Sequence, residues 1–163
     1  MRIGVISDTH DNLEAIRQIT RIFAERRVSL ILHAGDWCAP FTMRNLVVEK
    51  CRVVGVYGNV DGERLMLKKT AEDMGYTIED FQTLELEGIK IALIHGTVEA
   101  IVEGLARSNT YDLIVRGHTH RFEVKRIDGT IIFNPGEACG YLSGRRTAAV
   151  IDLPSLSIEL VEL

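Results

Sequence analysis

The sequence predicts a mixed α/β fold, and three of its features carry that prediction. In the first half, short runs of β-branched and apolar residues alternate with helix-period segments, which argues for βαβ units and a mostly parallel sheet. In the second half, paired strand-like runs flank turn dipeptides, which argues for antiparallel hairpins. No fixed-period repeat, low-complexity tract or linker-like stretch interrupts the chain. The expectation is a mixed sheet system, parallel early and antiparallel late, in a single domain over residues 1–163.

The chain opens on the strand-like run RIGVIS at 2–7. NLEAIRQITRIFAERR at 12–27 follows, with Leu13, Ile16, Ile19, Ile22 and Phe23 on one helical face. VSLILHAGD at 28–36 predicts a strand, FTMRNLVVEK at 41–50 a helix, CRVVGVYGN at 51–59 a strand, and GERLMLKKTAEDMG at 62–75 a helix closed by Gly75. TLELEGIKIALIHG at 83–96 reads as two strands about a Glu-Gly turn. A helix over VEAIVEGLARSN (98–109) and a buried strand at YDLIV (111–115) come next. RFEVKRIDGTIIFN (121–134) contains Asp128-Gly129, a strong hairpin signal. RTAAVIDLPSLSIELVEL (146–163) predicts a last hairpin turning at Pro154 and Ser155.

Composition limits what such a fold can do. At 163 residues the chain can bury a sizeable core without staples, and 46% apolar with 26% charged residues is ordinary. The net charge is −4 and the Lys and Arg residues are scattered, so no stable nucleic-acid complex is expected, although a nucleotide substrate stays open. Cys38, Cys51 and Cys139 are odd in number and lack framework spacing. They read as packed thiols in a reducing compartment. With no apolar run of about 18 residues and no leader-like start, the expected location is cytoplasmic and away from membranes.

The chemistry lies where predicted strands end. Asp8 and His10 stand in SDTH, Asp36 in AGDW, Asn59 and Asp61 in GNVDG, His95 in IHGT, and His118 and His120 in GHTH. In open α/β sheets the carboxyl ends of strands converge on one crevice, so these dispersed residues can meet. Carboxylate, amide and imidazole donors without thiolate suit Mn²⁺, Zn²⁺, Fe²⁺, Co²⁺ or Ni²⁺. With Asp61 left out, seven ligands exceed what one such ion takes, whereas two ions bridged by Asp36 would use them all. Two cations about 3.5–4 Å apart can clamp a phosphate and supply hydroxide for in-line attack. No G-x-S-x-G elbow and no GxxxxGK[ST] loop offers another route.

SDTH, AGDW, GNVDG, IHG and GHTH, in this order, resemble the D-x-H, G-D, G-N, H and G-H-x-H signature of the calcineurin-like metallophosphoesterase superfamily. The short chain and NPGEACGYLSGRR resemble its small bacterial and archaeal phosphodiesterase branch, related to the metallophosphoesterase-fold subunit of retromer. The resemblance runs over essentially the whole chain. It implies a four-layer α-β-β-α sandwich of two packed mixed sheets flanked by helices. It further implies that Asp8, His10, Asp36 and His120 hold one metal, and that Asp36, Asn59, His95 and His118 hold a second. Mn²⁺ is the favoured ion, with Ni²⁺, Zn²⁺, Fe²⁺ and Co²⁺ as alternatives. Asp36, Asn59 and His118 are the residues expected to act on the substrate, a small phosphodiester.

One position departs from the pattern. Many members carry a histidine after the G-N asparagine, where it assists the transferring phosphoryl group or protonates the leaving oxygen; here that residue is Val60. General acid catalysis typically contributes about 10²–10⁴-fold, so its absence penalises poor leaving groups most. The expectation is a preference for diesters with good leaving groups over monoesters.

Simpler roles compete for some of these residues. Asp8 and Asp36 could cap a following helix, and Asn59 could be a left-handed turn residue. Asp61 reads as a residue that shapes its turn or orients a ligand from behind, and His33, inside an apolar run, as a hydrogen-bonded core or near-site histidine. Trp37 and Cys38 either line the pocket or pack, and Glu137 and Cys139 in NPGEACG receive no catalytic role. At the level of the whole protein, the rival readings are a non-catalytic protein-binding scaffold on the same fold and a mononuclear metal-binding regulator. A homodimer is the base-rate expectation for assembly.

Overall fold

Eleven strands and four helices, numbered in chain order, make up the computed structural model, which describes residues 1–163. In one sheet, β1 (Arg2–Ile6), β2 (Leu30–His33), β3 (Arg52–Val56) and β4 (Thr77–Glu79) run parallel. β10 (Thr147–Asp152) pairs antiparallel with β1, and β11 (Ser157–Glu162) with β10, so the order is β11-β10-β1-β2-β3-β4. The second sheet has the order β5-β6-β7-β9-β8, from β5 (Phe81–Leu86), β6 (Ile89–Ile94), β7 (Leu113–Val115), β8 (Phe122–Ile127) and β9 (Thr130–Pro135). Its centre, β6, β7 and β9, is parallel, and β5 and β8 close it as antiparallel edges.

The period-2 alternation of strand side chains stacks these sheets. Ile3 and Val5 of β1, Leu30 and Leu32 of β2 and Val54 and Val56 of β3 join Ile91, Leu93, Leu113, Val115 and Phe133 in one apolar cluster between the sheets. The opposite face of the first sheet, including Ile6, Ile31 and Val53, is covered by α1 (Leu13–Glu25), α2 (Pro40–Asn45) and α3 (Arg64–Met74). The outer face of the second, Ala92, Ile114 and Ile132, is covered by Val102 and Ala106 of α4 (Glu99–Arg107). The result is the four-layer α-β-β-α sandwich. In α1, Ile16, Ile19 and Phe23 are wholly buried, each worth about 1.5–3 kcal/mol of hydrophobic stabilisation. The Asn12 side chain caps this helix by accepting from the Ala15 N–H at 3.2 Å.

Where sequence and structure differ, local hydrogen bonds explain it. The helix expected over 41–50 stops at Asn45. Leu46 takes φ −88°, ψ 66°, its carbonyl accepts from the Tyr76 hydroxyl at 2.7 Å, and β-branched Val47 and Val48 follow. β4 was not anticipated: only three residues long, it is drawn into the sheet by pairing with β3. The hairpins turn where the dipeptides indicate, with Leu86 opposite Ile89 and Ile127 opposite Thr130. The last loop spans the four residues between Asp152 and Ser157 and contains a cis Leu153–Pro154 bond. No helix is long and apolar enough to cross a membrane.

Candidate metal centre

The carboxyl ends of the parallel strands of both sheets meet at one edge of the sandwich. Asp8 and His10 follow β1, Asp36 follows β2, Asn59 follows β3, His95 follows β6, and His118 and His120 follow β7. Two motif glycines let these loops close on one another. A Cβ on Gly58 would collide with the Asp36 carboxylate and backbone, and one on Gly117 with the Ser7 hydroxyl. Backbone bonds zip the first two loops together: Asp8 N–H to the Gly35 carbonyl at 3.0 Å, and Thr9 and His10 N–H to the Asp36 carbonyl, each at 3.1 Å.

That framework holds strained residues. Asp8 (φ 53°), His10 (41°), Asp36 (60°), His118 (70°) and His120 (58°) all lie in the left-handed region, at a cost of about 1–3 kcal/mol each. Five of the seven candidate ligands share this property, so the surrounding bonds aim the side chains at the expense of stability. Asn59 is not left-handed. Neither aspartate caps a helix, since the N-caps of α1 and α2 are Asn12 and Ala39.

All seven side chains come together. Asp8, His10, Asp36 and His120 present ligand atoms within 4.8 Å of one another. His10 Nε2 lies 3.6 Å and His95 Nε2 3.3 Å from Asp36 Oδ2, and His120 Nε2 lies 3.4 Å from Asp8 Oδ1. Asn59 Oδ1 is 2.9 Å from His95 Nε2 and 2.8 Å from His118 Nδ1. Asp36 therefore stands between the two groups of ligands, with its Oδ1 also accepting from the Val60 N–H at 3.1 Å.

Hydrogen-bond partners assign the imidazole tautomers. His95 Nδ1 donates to the Ala34 carbonyl at 2.7 Å, and His120 Nδ1 donates to Glu137 Oε2 at 2.7 Å. In both rings the remaining nitrogen, Nε2, turns its lone pair toward carboxylate or amide oxygens. Such an array of converging lone pairs is satisfied by a shared proton or by a cation. Asp8 Oδ1 and His10 Nε2 are buried without any hydrogen-bond partner, the signature of atoms reserved for another ligand. The donor set and its unpartnered atoms thus fit divalent metal ions.

Titration behaviour follows from the same geometry. Burial raises the Asp8 carboxyl above its ordinary value. Burial pushes Asp36 in the same direction, but the hydrogen bond and charge of His95 outweigh it and hold Asp36 low. Burial opposes protonation of His95 until the bond to Asp36 reverses the sign and raises it. His118 is lowered by burial and by neighbouring His95.

The remaining residues divide by contact. Asp61 accepts from the Cys38 and Gly58 N–H groups, each at 2.7 Å, and so shapes the turn. His33 is fully buried, stacks on Trp37 at 3.4 Å between centroids, accepts the Gly35 N–H at Nδ1 and donates from Nε2 to Thr9 Oγ1 at 3.0 Å. Trp37 packs in the core and donates to the Val56 carbonyl at 2.9 Å, while Cys38 Sγ contacts His10 Nδ1 at 3.4 Å. All three cysteines are free, and burial raises their thiols, to about 12 for Cys139.

Sequence reasoning passed over Glu137. Besides His120, its buried carboxylate accepts from the N–H groups of Leu142 and Ser143 and from Cys139 Sγ, and burial is outweighed by these bonds, which hold it near about 2. The available signal was position: Glu137 lies two residues beyond β9, as Asp8 lies two beyond β1. A cavity of about 370 Å³ opens over the ligands, walled by Val60, Tyr141 and Leu142. A recess of similar size near Arg27 and Lys50 contains none of these residues.

Comparison with known proteins identifies the family and the fold. The chain is 36% identical over 154 residues to a phosphodiesterase of Methanocaldococcus jannaschii, covering 93% of each. It is 32% identical to a probable metallophosphoesterase of Methanothermobacter thermautotrophicus, covering 83% of this chain and 76% of that one. A solved structure described as a novel archaeal phosphodiesterase superposes with a TM-score of 0.93 at 34% identity over 100% of both chains. Vacuolar protein sorting 29 of Cryptosporidium parvum shares the fold, with a TM-score of 0.65 at 18% identity over 99% of this chain and 96% of that one. The family model described as the calcineurin-like phosphoesterase superfamily domain matches residues 1–155, and the chain belongs to that superfamily.

Proposed function

We propose that this protein is a phosphodiesterase acting through two divalent cations, the first held by Asp8, His10, Asp36 and His120, the second by Asp36, Asn59, His95 and His118. The observations that support the reading are that Asp8, His10, Asp36 and His120 present ligand atoms within 4.8 Å of one another, and that Asp36 also faces His95, which in turn meets Asn59. When bound, the cations would lower the pKa of water and neutralise charge on the phosphoryl oxygens. The mixed nitrogen and oxygen set suits Mn²⁺, Zn²⁺, Fe²⁺, Co²⁺ or Ni²⁺, and Mn²⁺ is the first to test.

The chain's own residues do the remaining work. Asp36, ionised and fixed by the Val60 N–H, holds the two cradles in register. Asn59 and His118 stand at the cavity wall, where they orient the phosphate as well as the second cation. Water oxygen forms the new P–O bond, the ester oxygen leaves with its bonding pair, and the products are a phosphomonoester and an alcohol or phenol. Val60, at the position where many members carry a histidine, lines the cavity, and its isopropyl group has no proton to give to a leaving oxygen. General acid catalysis typically contributes about 10²–10⁴-fold, and its absence penalises poor leaving groups most, so good leaving groups are favoured.

The test uses protein stripped with a chelator and assayed with a bis-aryl phosphate diester and the matching aryl monoester. The expected result is diester cleavage restored by Mn²⁺ with two ions per chain and much slower monoester cleavage. Absence of turnover with every divalent metal, despite two bound ions, would overturn it.

A further inference from the structure

We propose that Tyr141 and Leu142, with Val60, form a subsite for a flat, uncharged aromatic group carried on the non-reacting ester oxygen of the substrate. The inference rests on the phosphodiesterase reading above and names the class of diester it would accept. The three side chains border the same cavity as His10, His118 and His120. They are 63%, 76% and 45% exposed, respectively. Single exposed apolar residues need no explanation, but three around one cavity mark a surface built to be covered.

This lip is not a loose loop. The Leu142 N–H donates to both oxygens of Glu137 at 3.1 and 3.2 Å, and the Ser143 N–H donates to Oε1. The same buried carboxylate accepts from His120 Nδ1, so one side chain fixes both a candidate ligand and the edge of the cavity above it. The Tyr141 ring sits 6.5 Å from the His10 ring at a tilt of 40°. Because the lip is ordered in advance, a ligand gains from apolar contact without first ordering its partner.

Charge selects the occupant. No Lys or Arg lines the cavity. Arg121 and Arg145 line a neighbouring recess that shares His120, and Arg145 is already held by both oxygens of Glu162 at 3.0 and 2.8 Å. A second phosphate or a carboxylate on the substrate would find no counter-charge within this cavity, whereas a neutral ring would meet one aromatic and two aliphatic side chains. Aromatic groups gain beyond their buried area when paired with another ring, which favours an aryl group or a nucleobase over an alkyl chain.

The experiment compares phenyl and methyl esters of para-nitrophenyl phosphate, which share a leaving group and differ only in the retained group. Each is assayed with the metal-loaded protein and with Leu142→Ser and Tyr141→Ala/Leu142→Ser variants, and metal per chain is counted as a control on folding. Intrinsic reactivity cancels when the phenyl-to-methyl ratio of kcat/KM is compared between proteins. The expected result is a ratio that falls about tenfold in the double variant and part of the way in the single one. A ratio unchanged in both variants at full metal content would overturn the subsite, as would a preference of the unaltered protein for a carboxylated phenyl ester. Failure of the metal-loaded protein to cleave either ester would overturn the phosphodiesterase reading, and the subsite with it.

Discussion

The two halves of the proposed centre are built differently. Asp8, His10, Asp36 and His120 bring two carboxylates, and their side chains are 0%, 18%, 2% and 13% exposed. Three of them are steadied from behind: Asp8 accepts from the His118 N–H at 3.2 Å, His10 contacts Cys38, and His120 is gripped by Glu137. Asp36, Asn59, His95 and His118 have that one carboxylate and add a neutral amide; His95 is buried but Asn59 is exposed. Both groups reach the cavity, the first through His10 and His120 and the second through Asn59 and His118. Ligand charge and rigidity both raise cation affinity. The difference teaches that charge and support are unevenly divided across the proposed centre. On the two-cation reading, the two-carboxylate half should hold its ion more tightly than the half with the exposed amide.

The largest effect is expected where the halves join. Asp36→Asn removes the shared charge, so turnover should fall by about 10³-fold or more and both sites should weaken, as read by metal analysis and steady-state rates. Two tightly held ions in that variant would break the bridge. Asn59→Ala touches only the half with the exposed amide. It should cost about 10²-fold in rate and leave one tight ion per chain; loss of both ions would erase the distinction between the halves.

A smaller effect tests the two-carboxylate half from behind. Glu137→Gln keeps the size of a side chain whose pKa is held down to about 2 and removes its charge from His120. First-ion affinity should drop by about 10–100-fold while the second site changes less. Equal losses at both sites in a calorimetric titration would contradict the separate support drawn for the two-carboxylate half.

The smallest effect concerns His33, which bonds Thr9, the residue between Asp8 and His10. Burial lowers this imidazole well below its ordinary value. The unfolded chain therefore binds the proton first, and the stability of the metal-free protein is lost as pH falls below about 6.5. His33→Phe should retain both ions and flatten the melting-temperature profile in that window, by at most about 1.4 kcal/mol per pH unit. A profile parallel to that of the unaltered protein would show that His33 does not carry this proton linkage.

How much of this was legible in the sequence differs between the same two layers of detail. Asp8, Asp36, Asn59, His95 and the GHTH pair were legible because each ends an apolar run, and parallel strands bring such ends together whatever the helices do. The glycines of GN and GH were legible as a motif, though only the close approach of Gly58 to Asp36 and of Gly117 to Ser7 explains them. Glu137 was not legible, because its grip on His120 joins the end of β9 to the loop after β7 and leaves no periodic trace. The early end of α2 depended on a hydroxyl thirty residues away, at Tyr76, and the three-residue β4 on its neighbour strand. Contacts between distant segments, unlike periodicity, are written in no single window.

The most direct test of the two-cradle account is a stepwise Mn²⁺ titration of the chelator-stripped protein, followed by calorimetry and by electron paramagnetic resonance. The account predicts two steps, tight then weak, and a spin-coupled signal that appears only as the second ion enters beside Asp36. A single step of one ion per chain, or two ions without coupling, would contradict it.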